Sequence, residues 1–243
     1  MNKEKLLTFI EKYNLGGSVE SVKIVSDGST LKTNFVAEDK TLAGNVTFND
    51  AQLEKCELSV FNTSKLKTFL KALQSEVSIT LNKDSSDRLV GLVLADDKTS
   101  FDFMLSEASV IPKAPGVKSP KDFDIEIPLD ANFIDLFVKA KGALPDVDSF
   151  TLLMNKKGDK LELVIGFANI NSDRAKVDIK PTAGKDKLTA PISFNANYFK
   201  EILLKNSEAT DAVFKVSALG ISTISFVTTD FEANYFLIKK DIE

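Results

Sequence analysis

Apolar residues recur with helical spacing at four places along the chain. In the clearest case, apolar side chains stand at positions i, i+3, i+4 and i+7 between Leu66 and Leu73, which places them on one face of a helix. The same pattern starts at Leu6 and Phe133, and a fourth copy starts at Phe199 and fails only at Asn206. The successive starts are 60, 67 and 66 residues apart. The spacing predicts four amphipathic helices that belong to one repeated unit. They cover residues 2–13, 64–74, 131–142 and 196–206.

The segments between the helices read as strands, because short alternating or apolar runs are separated by turn residues. Asn62, Asp130 and Asn195 stand where helix N-caps are expected. Each unit therefore reads as a strand, a helix and three further strands, although no clear strand precedes the first helix. Since helices are too few to cover both faces of a parallel sheet, we expect an α+β fold of antiparallel sheets with helices on one side. The predicted strands cover residues 21–25, 31–37, 42–48, 57–61, 76–81, 88–94, 100–106, 123–129, 149–154, 161–167, 174–179, 191–194, 212–218, 222–227 and 234–238.

One stretch near the middle of the chain has the composition of a linker. Residues 111–120 contain three prolines and a glycine, and proline cannot donate a hydrogen bond to a sheet. We expect an N-terminal domain over residues 1–110, a connector over 111–122 and a C-terminal domain over 123–243.

The composition argues against an enzyme. The chain has no histidine, which removes the commonest general base and metal ligand, and its single cysteine, Cys56, has no partner. Asp122, Asp124 and Glu126 alternate along a strand, and we interpret them as a solvated face and not as a metal site. We expect no catalytic residue, no metal and no cofactor.

The N-terminal residues and the lengths of the apolar runs indicate where in the cell the protein is expected. No apolar run approaches the length of a membrane span, and the N-terminus enters a helix without the features of a signal peptide. The sequence therefore predicts a cytoplasmic protein that does not engage a membrane.

Positive charge is concentrated on the predicted helices. They carry a net charge of +6 within a chain of net charge −4, so the remainder carries −10. Lysine is also a good helix former on a solvated face, which offers a simpler explanation for any one helix. Arg88 and Arg174 are the only arginines, and lysines spread over four helices favour sequence-independent contacts with phosphates over base readout.

Two tandem domains of two such units each, lysine-bearing helices and a proline-containing connector resemble the sliding clamps of DNA replication. The resemblance is closest to the trimeric clamps of T-even-type tailed phages and more distant to the proliferating cell nuclear antigen family. Residues 234–241 resemble the last strand and tail of these clamps but lack the tail proline of the cellular branch. The resemblance implies a ring-shaped, pseudo-sixfold homotrimer that encircles duplex DNA and tethers the replicative polymerase, which confers processivity. It also implies binding of a clamp loader and, for a viral protein, residence in the host cytoplasm.

The resemblance implies three sets of site residues. The residues expected to contact DNA are Lys5, Lys12, Lys65, Lys67, Lys71, Lys139, Lys141, Lys200 and Lys205. The expected subunit interface joins Phe101, Phe103 and Leu105 of one chain to Ala175, Val177 and Ile179 of the next. The expected pocket for short peptides of the polymerase and loader includes Val117, Phe236, Leu237 and Ile238.

Two other functions are consistent with parts of the sequence. A β-rich oligomeric structural or assembly protein of a virion would account for the strands and the acidity, but not for four lysine-bearing helices. A carboxylate-dependent nuclease or hydrolase is the third alternative.

Overall fold

Four α-helices form where the apolar periodicity predicts them. The computed structural model describes residues 1–74, 76–116, 120, 122–167, 172–183, 188–209 and 212–241. Each helix begins after an asparagine or aspartate whose side chain accepts a backbone N–H of the first turn, which confirms the caps predicted at Asn62, Asp130 and Asn195 and adds one at Asn2. The helices are α1 (Lys3–Asn14), α2 (Thr63–Ala72), α3 (Ala131–Ala143) and α4 (Ala196–Lys205).

The predicted strands are all present, with ends that differ by a few residues. Within the described residues they are β1 (Val22–Ser26), β2 (Thr30–Val36), β3 (Leu42–Asn49), β4 (Cys56–Val60), β5 (Ser78–Lys83), β6 (Leu89–Ala95), β7 (Ser100–Met104), β8 (Ile125–Pro128), β9 (Ser149–Met154), β10 (Leu161–Ile165), β11 (Ala175–Val177), β12 (Ile192–Asn195), β13 (Val213–Val216), β14 (Ile221–Val227) and β15 (Phe231–Ile238). The strand pairs for which a register is described are antiparallel, as expected.

The chain divides into two compact units. The first contains Met1–Glu38, Gly44–Pro115 and Thr228–Ala233, and the second contains Asp39–Ala43, Gly116–Val227 and Asn234–Glu243. The main division lies within the proline-containing segment. The two short segments that group with the opposite unit carry no signal in the sequence.

In the first unit, the strand that leads into one helix pairs with the strand that follows the other. β4 leads into α2 and pairs with β1, which follows α1. No strand precedes α1, but Asn2 forms an isolated antiparallel bridge with Glu76, just before β5, and Met1 and Val77 exchange backbone hydrogen bonds of 3.0 Å. A single bridge thus replaces the strand that the sequence repeat lacks. The strand orders are β4-β1-β2-β3 and β5-β6-β7.

The second unit repeats the arrangement in full. β12 leads into α4 and pairs with β9, which follows α3, whereas β8 leads into α3 and pairs with β13, which follows α4. The strand orders are β11-β10-β9-β12 and β15-β14-β13-β8. Five phenylalanines fill the core between these elements. They are Phe133, Phe137, Phe150, Phe199 and Phe214, with ring centroids 4.8 to 6.3 Å apart around Phe199.

The phenylalanine cluster gives a test of this packing. Replacing the fully buried Phe199 by Ala should lower the free energy of unfolding by about 3–5 kcal/mol, because a cavity forms where four rings meet. Phe61 is 56% exposed, so Phe61→Ala should change the free energy of unfolding by no more than about 0.5 kcal/mol. Urea denaturation measures both values, and equal effects of the two variants would contradict the packing described.

Candidate nucleic-acid interface

Three of the nine lysines predicted to contact DNA are well exposed on their helices: Lys65, Lys71 and Lys139. Leu66 and Leu70 anchor α2 in the core, which leaves Lys65 and Lys71 on the solvent side of that helix. The ammonium of Lys65 lies 5.5 Å from the centroid of the Phe69 ring, which is compatible with a weak cation–π contact.

Two of the three exposed lysines lie close to carboxylates of their own unit. The Lys139 ammonium is 2.7 Å from a carboxylate oxygen of Asp135, one turn earlier on α3. The Lys71 ammonium is 3.8 Å from Glu11 on the neighbouring α1. Exposed ion pairs of this kind contribute little free energy, so a phosphate oxygen can replace the carboxylate.

Four further lysines of the set are half-buried: Lys5, Lys67, Lys200 and Lys205. The ammonium of Lys67 donates to Asn14 Oδ1 at 3.1 Å and lies 3.9 Å from Glu11, so this side chain faces α1. Lys5 forms a 3.1 Å ion pair with Asp230. These contacts reduce the positive charge that the helices present.

The remaining two lysines, Lys12 and Lys141, are buried, so the prediction that they contact DNA is wrong. The Lys12 ammonium lies 5.3 Å from the centroid of the Phe231 ring. The Lys141 ammonium donates to the carbonyls of Leu144 and Pro145 at 3.2 and 3.1 Å, beyond the end of α3. Burial, together with the nearby Lys200, lowers the pKa of Lys141 below its usual value.

The solvent sides of the helices also carry groups that the sequence does not predict there. On α1, Glu4 is exposed and Glu11 is half-buried, while the lysines of this helix are buried or bonded to other groups of the protein. The expectation that α1 presents positive charge is therefore not met. Leu136 is 41% exposed on α3 although it fits the apolar periodicity, and Leu204 is 40% exposed on α4. The positive surface is therefore concentrated on α2 and at Lys139.

The strands predicted to join subunits are both terminal strands of their sheets. β7 ends the order β5-β6-β7, and β11 ends the order β11-β10-β9-β12. The Leu105 N–H donates to the Val90 carbonyl at 3.0 Å, so alternation along β7 directs the N–H groups of Ser100, Asp102 and Met104 away from β6. An open row of backbone groups of this kind can pair with a strand from another chain.

Half of the six side chains predicted at the interface are buried. Phe103, Val177 and Ile179 are buried in their own units, so their side chains are not available to a neighbouring chain. The predicted pairing of the two strands through backbone groups is not affected by this and stays a prediction. Phe103 and the half-buried Phe101 both pack against the ring of Phe69. Leu105 and Ala175 are half-buried.

The predicted peptide pocket is divided by the pleat of β15. Ile238 is 42% exposed and Phe236 half-buried on one face of the strand, whereas Leu237 is buried on the other and cannot contact a partner. The Lys239 N–H donates to the Gly220 carbonyl, which places Ile221 opposite Ile238. Val117 lies outside the described residues.

Leu219, in the turn before β14, adds an apolar side chain that is 79% exposed. The sequence reading missed it because a leucine between two strands has no periodic pattern. Leu219, Ile221, Phe236 and Ile238 are called the apolar surface of the second unit below.

Two acidic residues, one just before β8 and one within it, serve the fold. Asp124 accepts the Ala218 N–H at 2.7 Å, and Glu126 forms a 3.2 Å ion pair with Lys215. Among the residues that the structure describes, no three histidine, cysteine or acidic side chains come together as a metal site would require. None of the described helices is long and apolar enough to span a membrane.

The fold over nearly the whole chain is shared with solved structures. Proliferating Cellular Nuclear Antigen from Entamoeba histolytica matches with a TM-score of 0.69 and 15% identity, covering 99% of this chain and 97% of that chain. A structure of the PCNA2-PCNA3 complex from Sulfolobus tokodaii matches with a TM-score of 0.68 and 11% identity, at the same coverage. No protein-family model matches the sequence, and no curated protein matches it. The chain therefore has the α+β, antiparallel fold of the PCNA-type sliding clamps.

Proposed function

We propose that this protein is a DNA sliding clamp, a ring of three identical chains that encircles duplex DNA and tethers the replicative polymerase. The observation that carries the proposal is the match to PCNA-type structures over 99% of the chain. The near absence of arginine and the lack of a tail proline favour the T-even-type phage branch. A clamp of this kind performs no reaction and needs no cofactor, and it would act in the cytoplasm where the replicating DNA lies.

The exposed lysines suit a protein that holds DNA without fixing its position. Lys65, Lys71 and Lys139 are flexible point charges, and phosphate contacts of this kind carry no sequence information. The nearby Glu11 and Asp135 compete with phosphate for Lys71 and Lys139. Weak, exchangeable contacts allow the clamp to slide, whereas a closed ring keeps it on the DNA.

The open edges of β7 and β11 support assembly by strand addition. In the proposed trimer, β7 of one chain pairs with β11 of the next, so each chain uses one edge of each kind and the ring closes. Asp102 is exposed on β7 and Arg174 is exposed beside β11, so an ion pair can form across the contact, whereas the exposed Lys176 already pairs with Glu162 at 2.8 Å.

The apolar surface of the second unit is the site proposed for polymerase and loader peptides. Leu219, Ile221 and Ile238 are exposed or half-buried side chains close together on two strands and a turn. Clustered apolar side chains on a surface are typical of protein interaction sites. A short peptide with apolar anchors would cover them.

The strand-addition proposal predicts the effect of one substitution. Asp102→Pro removes an N–H that points away from β6, so it should block the subunit contact while leaving the sheet of its own chain intact. Sedimentation velocity should give about three times the chain mass of 26.6 kDa for the unchanged protein and about that mass for the variant.

Asp102→Asn is the matched control, because it removes the charge but keeps the N–H. It should remain trimeric. Circular dichroism should show that both variants are folded. A trimeric Asp102→Pro variant would contradict the edge assignment, and a filament or shell in the unchanged protein would favour the virion-assembly alternative.

The lysine assignment predicts a change in salt dependence. The triple variant Lys65→Ala, Lys71→Ala, Lys139→Ala should bind a short duplex more weakly at low salt and should lower the slope of log K against log salt concentration. The matched control Lys98→Ala, Lys156→Ala, Lys157→Ala removes the same charge from exposed turns and should leave the slope nearly unchanged. Fluorescence anisotropy measures the affinity and the salt slope of each variant. Equal slopes for the two triple variants would exclude the helix lysines as the phosphate contacts.

A further inference from the structure

A second candidate surface lies wholly within the first unit, in a groove between the outer face of β1 and β2 and the start of the connector. The groove encloses a cavity of about 340 Å³. Lys23, Val25, Lys32 and Asn34 line it from the strands, and Ile111–Ala114 line it from the connector. None of these residues belongs to the apolar surface of the second unit.

Strand register builds the floor of the groove. Val25 pairs with Lys32 and Lys23 pairs with Asn34 across β1 and β2, so the four side chains share one face of the sheet. The opposite face is buried, as at Ile24, and this fixes which side chains point outward.

The charge of the groove is positive and largely uncompensated. Lys32 and Lys113 are exposed, and neither ammonium has a carboxylate partner among the described residues. Lys23 is bonded to Glu57 at 2.7 Å, but both side chains are about half exposed and can exchange partners.

The groove also offers apolar and backbone contacts. Val25 is 45% exposed in the floor, and Pro112 and Ala114 line the groove from the connector. No described residue accepts a backbone hydrogen bond from the N–H groups of Lys113 and Ala114, which a bound chain could pair with.

We infer that this groove binds an extended, acidic segment of a partner protein. A cavity of this volume accepts a few residues of a single chain and is far too small for a duplex. Carboxylates would pair with Lys32 and Lys113, while apolar side chains of the same segment contact Val25 and Pro112. The inference rests on the proposed function and adds acidic residues to the partner chemistry expected for a clamp.

The inference concerns the partner side of the proposed function, and its test uses no duplex DNA. The probe is a short fluorescein-labelled peptide of glutamate and leucine, compared with peptides in which glutamine or lysine replaces every glutamate. Anisotropy with the 243-residue chain should show binding of the glutamate peptide that weakens with salt. The glutamine peptide should bind more weakly, and the lysine peptide should not bind.

Single charge reversals locate the site. Lys32→Glu and Lys113→Glu should each weaken binding of the glutamate peptide by about tenfold, because each replaces an attractive contact by a repulsive one. Lys98→Glu, an exposed reversal of the same size in the β6–β7 turn, should change it by less than about twofold. Lys32→Glu should also create measurable binding of the lysine peptide.

Three results would overturn the inference. These are no binding of the glutamate peptide, equal weakening by Lys98→Glu, and tighter binding of a single-stranded oligonucleotide that Lys32→Glu and Lys113→Glu abolish. None of them bears on whether the protein encircles DNA, which is tested by its mass and by its retention on DNA.

Discussion

Reciprocal strand pairing between two repeats holds each unit of this protein together. The strand that enters one helix pairs with the strand that leaves the other, as β12 does with β9 and β8 with β13. This exchange places the two helices side by side and covers the inner strands of each sheet. It leaves β7 and β11 among the terminal strands of the sheets, and terminal strands present unpaired backbone groups. Where the first unit lacks a leading strand, the Asn2–Glu76 bridge and the hydrogen bonds of Met1 with Val77 replace it.

The same packing determines which lysines can meet a ligand. Because Leu66 and Leu70 face the core, Lys71 projects into solvent and Lys67 turns toward α1. The acidic residues of α1 then reduce the charge of the pair of helices. The positive surface is therefore weaker and more dispersed than a count of lysines indicates. A dispersed surface is suited to holding DNA loosely, since a cluster of tight ion pairs would favour one position on the duplex.

Much of the fold could be predicted from the sequence because it depends on local signals. Helical periodicity and N-cap residues such as Asn62 mark the helices, and alternation with turn residues marks the strands. The resemblance in architecture then indicated the clamp fold. The long-range pairing that replaces the missing first strand could not be predicted, because a single bridge leaves no pattern.

The candidate site was predicted less well because it depends on the exposure of individual side chains and on the position of their polar groups. Lysines at 12 and 141 follow the same pattern as exposed ones, but their long apolar stems allow burial while the ammonium finds a ring or carbonyls. Leu237 and Ile238 differ by one step of the pleat, which reverses their exposure. The basic groove was missed because its lysines lie on strands and in the connector, and only their register brings them together.

The central claim is that the protein encircles DNA, and retention on a closed circle tests it most directly. The protein is assembled on nicked circular DNA and separated from free protein by gel filtration, and a restriction enzyme then cuts half of the sample. The account predicts that the protein stays with the uncut circle and is lost from the linear DNA within the same time. A ring that encircles DNA slides off a free end but cannot leave a closed circle. Equal retention on circular and linear DNA would therefore contradict encirclement.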